Sequence, residues 1–195
     1  KGRPAGGFGS GMFSLYATKN VMSAEGGMIT SHDPAFAEQC RLLRNHGMKV
    51  RYHYEMLGYN YRMSDLHAAI GLAQMERLAE WTGARRANAE YFNAHITSVL
   101  TPQVAPECGH VWHQYTVRVP DGKRDAALDQ LTAGGVGTSI FYPYPAHQQR
   151  YVRDIVGDVR LPVTEQLARE VLSLPVHPGL SQADREAIVH EVNRL

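Results

Sequence analysis

Between Val111 and Tyr142 the chain changes its hydrophobic period twice, and that change confines this stretch to a small α/β unit. Val111, His113, Tyr115, Val117 and Val119 alternate with Trp112, Gln114, Thr116 and Arg118, the period of a strand with one face inward. Pro120-Asp121-Gly122 ends the run with turn chemistry. A helical pattern from Asp125 to Ala133 then stops at Gly134-Gly135. Thr138 to Tyr142 predicts a second strand, cut off by Pro143 and Pro145.

Upstream, residues 1–11 are glycine-rich and read as a loop. Met12-Phe13-Ser14-Leu15-Tyr16 predicts a short strand, and Met28-Ile29-Thr30 forms a second apolar run after a polar stretch. Asp33-Pro34 starts a helix: the carboxylate accepts an orphan backbone N–H, and proline at the first helical position gives up no needed donor. Phe36, Cys40 and Leu43 follow at helical spacing, and Gly47 closes that helix in the left-handed region. Residues 48–62 read as a loop dense in Tyr, His and Arg. Ser64 caps a long helix with Leu66, Ile70, Ala73, Leu78 and Trp81 on its apolar face, bent at Gly83 and ended by Tyr91, Phe92 and Ile96. Thr164 and Ser181 each precede a helical pattern. Ser181 with Asp184 matches a capping box, and Ile188, Val189 and Val192 supply the last apolar face.

A chain of 195 residues makes one domain or slightly more. Twenty Lys+Arg against nineteen Asp+Glu leave +1, which argues against a surface that coats phosphate by net charge. A hydrophobic share of 44% with 20% charged residues excludes wholesale disorder. No apolar run approaches the ~20 residues that cross a bilayer, so no membrane partner is expected. Two cysteines, Cys40 and Cys108, cannot build a disulfide framework, which points to a reducing, cytoplasmic compartment. The chain opens Lys1-Gly2-Arg3-Pro4 without a start methionine, and the expectation is a piece of something longer.

Three groupings have chemistry that their surroundings do not support. Gly7-Phe8-Gly9-Ser10-Gly11 has the glycines of a nucleotide loop but leads into a strand rather than a helix. Cys108, His110 and His113 have metal-binding side chains, yet on a strand His113 points away from the other two, so no metal is expected. The Tyr/Arg/His loop has groups that stack on nucleic acid, but at +1 with no Lys/Arg block an interface or small-molecule site is favoured and no nucleic-acid partner is expected. The informative segment is Phe13-Ser14-Leu15-Tyr16-Ala17-Thr18-Lys19-Asn20, followed by Glu25-Gly26-Gly27. It places a lysine just past a buried-looking strand, in a tight polar turn where an amine can be desolvated, as a Schiff-base lysine needs. On residue type alone, a solvated loop lysine is the commoner reading.

That segment resembles the cofactor-lysine segment of the DegT/DnrJ/EryC1/StrS sugar aminotransferases, pyridoxal-phosphate enzymes of fold type I. Further stretches match in the same order: Arg44-Asn45-His46-Gly47, Gly58-Tyr59-Asn60-Tyr61-Arg62-Met63-Ser64-Asp65, Ala68-Ala69-Ile70-Gly71, Tyr142-Pro143-Tyr144-Pro145-Ala146-His147 and Leu174-Pro175-Val176-His177-Pro178. The resemblance covers nearly the whole chain. It implies an α/β fold in which residues 1–62 are the tail of the large cofactor-binding domain, 63–97 a linking helix and 98–195 the small C-terminal domain.

The resemblance also assigns roles. Lys19 matches the lysine that holds pyridoxal 5'-phosphate as an imine and then serves as general acid and base. Ser14 matches a hydroxyl on the cofactor phosphate. Asn60 matches an amide that reaches that phosphate from the neighbouring subunit, which implies a homodimer with a shared active site. Arg62 matches a residue that orients its loop or binds an anionic group, and His147 one at the sugar end of the cleft. For Arg62, His147 and His177 the plain alternative is a packed loop contact. The implied reaction moves an amino group from glutamate to a nucleotide-linked keto-sugar, and many relatives make amino sugars for surface polysaccharides or antibiotics. Dehydratase-type relatives carry a histidine at the anchoring position, so Lys19 favours aminotransfer. In the family the residues that pair with, stack on and otherwise hold the cofactor ring precede the lysine, upstream of this chain. The alternative expectation is therefore a non-catalytic folding or association module.

Overall fold

In a computed structural model that describes residues 2–195, the first apolar run is a strand only over Gly11–Ser14 (β1), paired antiparallel with Gly27–Thr30 (β2) so that Phe13 lies opposite Met28. The strand is not buried as its composition suggests: Met12 is 87% exposed and Met28 56%. A two-stranded ribbon has no third layer of its own to bury either face. The first helix, Pro34–Arg44 (α1), starts as its chemistry dictates, with Asp33 Oδ1 accepting the Ala35 and Phe36 N–H groups at 2.8 and 3.2 Å. Asn45 caps its end. His46 and Gly47 follow in the left-handed region, and the Gly47 N–H donates to the Leu42 carbonyl.

The segment read as a plain loop contains an irregular hairpin, Met48–Val50 (β3) with His53–Tyr54 (β4). Tyr52 turns it at a φ of 67°, a conformation that tyrosine does not advertise. The long helix is two helices. Ser64 Oγ accepts the His67 N–H at the start of Asp65–Glu76 (α2), and Leu78–His95 (α3) follows after a break at Arg77. Gly83 does not interrupt it, for α3 runs through that position. Leu66 and Leu72 of α2 stay 79% and 71% exposed.

The chain divides into two units, one running to Glu80 and including Glu107–Gly109, the other comprising Trp81–Pro106 and His110–Leu195. The second unit contains every buried apolar side chain of the described residues except Val21. Its sheet pairs Tyr115–Arg118 (β5) antiparallel with Val171–Leu174 (β6), setting buried Tyr115 opposite buried Leu174 and Val117 opposite Leu172. The strand begins at Tyr115, not Val111, because Trp112 takes a φ of 47° that ends the extended run and lays its indole against Tyr115.

Phe92 of α3 meets Tyr115 edge-on at 5.2 Å. Arg124–Ala133 (α4) adds Ala127 and Leu131 after the Asp121-Gly122 turn, whose residues both have positive φ. Burying each of the large apolar side chains contributes roughly 1.5–3 kcal/mol. The expected strand at 138–142 is reduced to a single bridge between Ser139 and Ser173. A 3-10 turn, Ala146–Gln148, leads into Arg150–Val156 (α5). Pro162–Glu170 (α6) starts two residues before Thr164, and Glu165 rather than Thr164 serves its first turn by accepting the Leu161 N–H at 2.9 Å. The last helix, Gln182–Val192 (α7), has the capping box in both directions and buries Ile188 and Val192. No helix of the described residues is long and apolar enough to cross a membrane.

Candidate active site

The turn that carries Lys19 is cinched at its base. The Leu15 N–H donates to the Gly26 carbonyl at 2.9 Å, and the Ser23 N–H donates to the Leu15 carbonyl at 2.8 Å. Between them, the Lys19 N–H donates to the Tyr16 carbonyl at 2.9 Å. Ser23 is fully buried below the turn, and its hydroxyl donates to the Glu25 carbonyl. Gly26 sits at a φ of 153°, and a Cβ there would come within 2.6 Å of Ser23 Oγ and 2.7 Å of Met63 Cε. Only glycine lets the chain close this tightly. Lys19 is half-buried, and no carboxylate among the described residues pairs with its amine. Ser14, exposed at the end of β1, accepts the Tyr16 N–H at 3.3 Å and keeps its own O–H for another acceptor.

Asn60 and Arg62 lie on a segment tied to the end of α1. Tyr59 and Tyr61 donate their N–H groups to the Leu43 and Arg44 carbonyls at 2.6 and 3.0 Å, and the His46 N–H donates back to the Tyr59 carbonyl. The Tyr59 and Tyr61 rings stack at 5.0 Å and 9°. In an extended chain the residue between them points to the other side, and Asn60 is exposed. Arg62 Nη1 donates to Asn45 Oδ1 at 2.9 Å, tying this segment to the residue that caps α1. It also borders a surface hollow of about 490 Å³ with Arg41, Arg44 and Lys49. Two glycines fix the approach: a Cβ on Gly58 would overlap the Gly47 nitrogen, and one on Gly47 would overlap the Met56 carbonyl. The Met63 methyl at Gly26 links this segment to the lysine turn, and Ser14, Lys19, Asn60 and Arg62 belong to one unit.

His147 belongs to the other unit. It is buried in the 3-10 turn, with Nε2 3.2 Å from Glu165 Oε1 of α6. Sequence reasoning missed Glu165, because nothing local marks a pairing 18 residues apart. The Leu161 N–H, and next the His147 ring, hold the Glu165 carboxyl below the usual carboxylate range. His177 is exposed, and its carbonyl accepts from the buried Asn88 amide at 2.9 Å. His110 Nδ1 accepts the Trp112 N–H at 3.0 Å. Among the described residues no three His, Cys, Asp or Glu side chains gather as metal ligands. A further hollow of about 370 Å³ in the second unit, lined by Thr97, Leu100, Val119 and Lys123, contains none of the candidate site residues.

Known proteins give this geometry a context. The chain is 35% identical to the pleiotropic regulatory protein of Geobacillus stearothermophilus, over 92% of this chain and 50% of that protein. It is also 35% identical to the UDP-N-acetyl-3-dehydro-alpha-D-glucosamine 3-aminotransferase of Acidithiobacillus ferrooxidans, over 99% of this chain and 53% of that one. Its fold matches that of S. venezuelae DesV, solved in complex with a ketimine intermediate, at a TM-score of 0.92 and 34% identity, over 99% of this chain and 53% of that one. The chain spans about half the length of the curated relatives it matches. Its α/β architecture is that of the C-terminal portion of the fold type I, pyridoxal-phosphate-dependent sugar aminotransferases. With the family match running over residues 1–193, the chain belongs to the DegT/DnrJ/EryC1/StrS aminotransferase family.

Proposed function

We propose that this chain is the C-terminal part of an enzyme that moves an amino group from glutamate to a nucleotide-linked keto-sugar. Residues 1–62 then end the large domain, 63–97 link, and 98–195 form the small domain. Aminotransferases of this family use pyridoxal phosphate. The residues present fit that group: an unpaired, half-buried Lys19 amine for its aldehyde, the available Ser14 O–H for a phosphate oxygen, and an exposed Asn60 amide for the phosphate of a second subunit in a homodimer. When bound, the cofactor supplies an electron sink for charge developing at the substrate α-carbon.

Lys19 does the proton work. Its free amine would take the proton from the donor α-carbon, and in the second half of the cycle it would give a proton to the sugar carbon that receives nitrogen. Arg62, fixed by Asn45 beside three other cations, suits an anionic substrate group. His147 is assigned to the sugar side. The small polar substrates and the unpaired cysteines suit the cytoplasm.

The observation that carries this reading is an amine with no carboxylate partner among the described residues, in a turn sealed by Ser23 and Gly26. In the full-length protein, Lys19→Ala should abolish both turnover and the visible absorbance of bound cofactor. Transamination by that variant at the parent rate would end the assignment. A second reading, an association module without catalysis, is favoured by the exposed Met12, Met28 and Ile29. A borohydride-reducible adduct on Lys19 would count against it.

A further inference from the structure

The His147 ring is 7% exposed, and its one hydrogen bond among the described residues is with Glu165. The receiving oxygen, Oε1, also accepts the Leu161 N–H at 2.9 Å, so the carboxylate is anchored to backbone rather than following the imidazole. Its place in the first turn of α6 and the nearby Arg160 both favour its charged form. An ionised carboxylate only accepts, so the ring nitrogen facing it must carry the proton. In a neutral imidazole the other nitrogen then presents a lone pair. Nδ1 has no hydrogen-bond partner among the described residues, and it is not among the fully enclosed polar atoms that lack one. The ring is thus nearly buried, with Nδ1 not fully enclosed.

We propose that Glu165 is a positioning residue that holds His147 as the Nε2–H tautomer with Nδ1 turned outward, to accept a hydrogen bond from a hydroxyl of the sugar substrate. The proposal rests on the assignment of His147 to the sugar side. It differs from a helix-capping role for Glu165, which would need the Leu161 contact alone and would be indifferent to His147.

The test uses full-length protein with ¹⁵N-labelled histidine, the His147 signals being assigned by their loss in His147→Gln. The parent should show the Nε2–H tautomer, and Glu165→Gln, which keeps an acceptor oxygen, should retain it. Glu165→Leu should shift His147 toward the Nδ1–H form. An Nδ1–H tautomer in the parent, or an unchanged tautomer in Glu165→Leu, overturns the proposal. The parent spectrum decides even if Glu165→Leu does not fold. In kinetics, Glu165→Leu should raise KM for the keto-sugar about tenfold, the scale of one lost hydrogen bond, and leave the half-reaction with glutamate unchanged. It should add nothing in a His147→Ala background. Equal losses in both half-reactions, or additivity with His147→Ala, also overturn it. If the parent does not transaminate, the proposed function fails while the tautomer result still stands or falls on its own.

Discussion

The two units are made of the same kinds of pieces and differ in where their apolar side chains end. In the second, Phe92, Tyr115, Val117, Leu131, Leu172 and Val192 close on one another around β5 and β6. In the first, only Val21 is buried among the apolar side chains described, while Met12, Met28, Ile29, Leu66 and Leu72 are exposed. The first unit owes its order to backbone devices instead: the Asp33 cap, the cinched base of the lysine turn, and the Gly47–Gly58 approach. The contrast separates the packed core from most of the residues proposed for the cofactor, although His147 lies in the packed unit. Ser14, Lys19, Asn60 and Arg62 all lie in the unit that leaves polar groups and apolar faces open to ligands and other surfaces.

The contrast breaks most visibly at Phe92. Phe92→Ala should cost roughly 3–5 kcal/mol in urea unfolding of the second unit, the usual price of a core aromatic cavity. A loss below about 1 kcal/mol would mean that the α3–β5 contact does not organise that core.

A smaller effect concerns acid. The Gln166 amide, and then the Arg118 guanidinium, donate to the Glu170 carboxyl and hold it below the ordinary carboxylate range. A carboxyl lowered in the folded state contributes stability above its unfolded value, about 4.3, and that stability is lost as pH falls through the folded value. Glu170→Gln should therefore flatten the loss of stability below about pH 4.3 and leave the curve parallel above it. An identical acid slope in both proteins would show that this pair is not linked to folding. The smallest effect belongs to the first unit: Met12→Ser should change stability by no more than about 0.5 kcal/mol, because an exposed methionine has little burial to lose. A loss of several kcal/mol would mean that β1 is covered in the intact protein.

Features written in local chemistry were legible in advance. Asp33-Pro34, the Ser181–Asp184 box, and the alternation at Tyr115, Val117 and Val119 each need only near neighbours, and each is found where the residues place it. The family was legible because its motifs keep their order along the chain. What could not be read depends on distant partners or on unadvertised backbone choices. Arg77 breaks a helix without being a breaker, Tyr52 turns a hairpin at positive φ, and Trp112 leaves its strand to join the core. Of the residues assigned by resemblance, Ser14 and Lys19 share one turn and Asn60 and Arg62 one strap, because each pair is close in sequence. The contact between His147 and Glu165 has no such local trace.

Gly47 and Gly58 leave room for no side chain at all, since each meets main-chain atoms where a Cβ would be. Anyone randomising the tyrosine strap would find the tolerance lopsided. The ring-bearing positions could be varied widely, while every surviving clone would keep the same two blanks, spaced like a pair of rivets eleven residues apart.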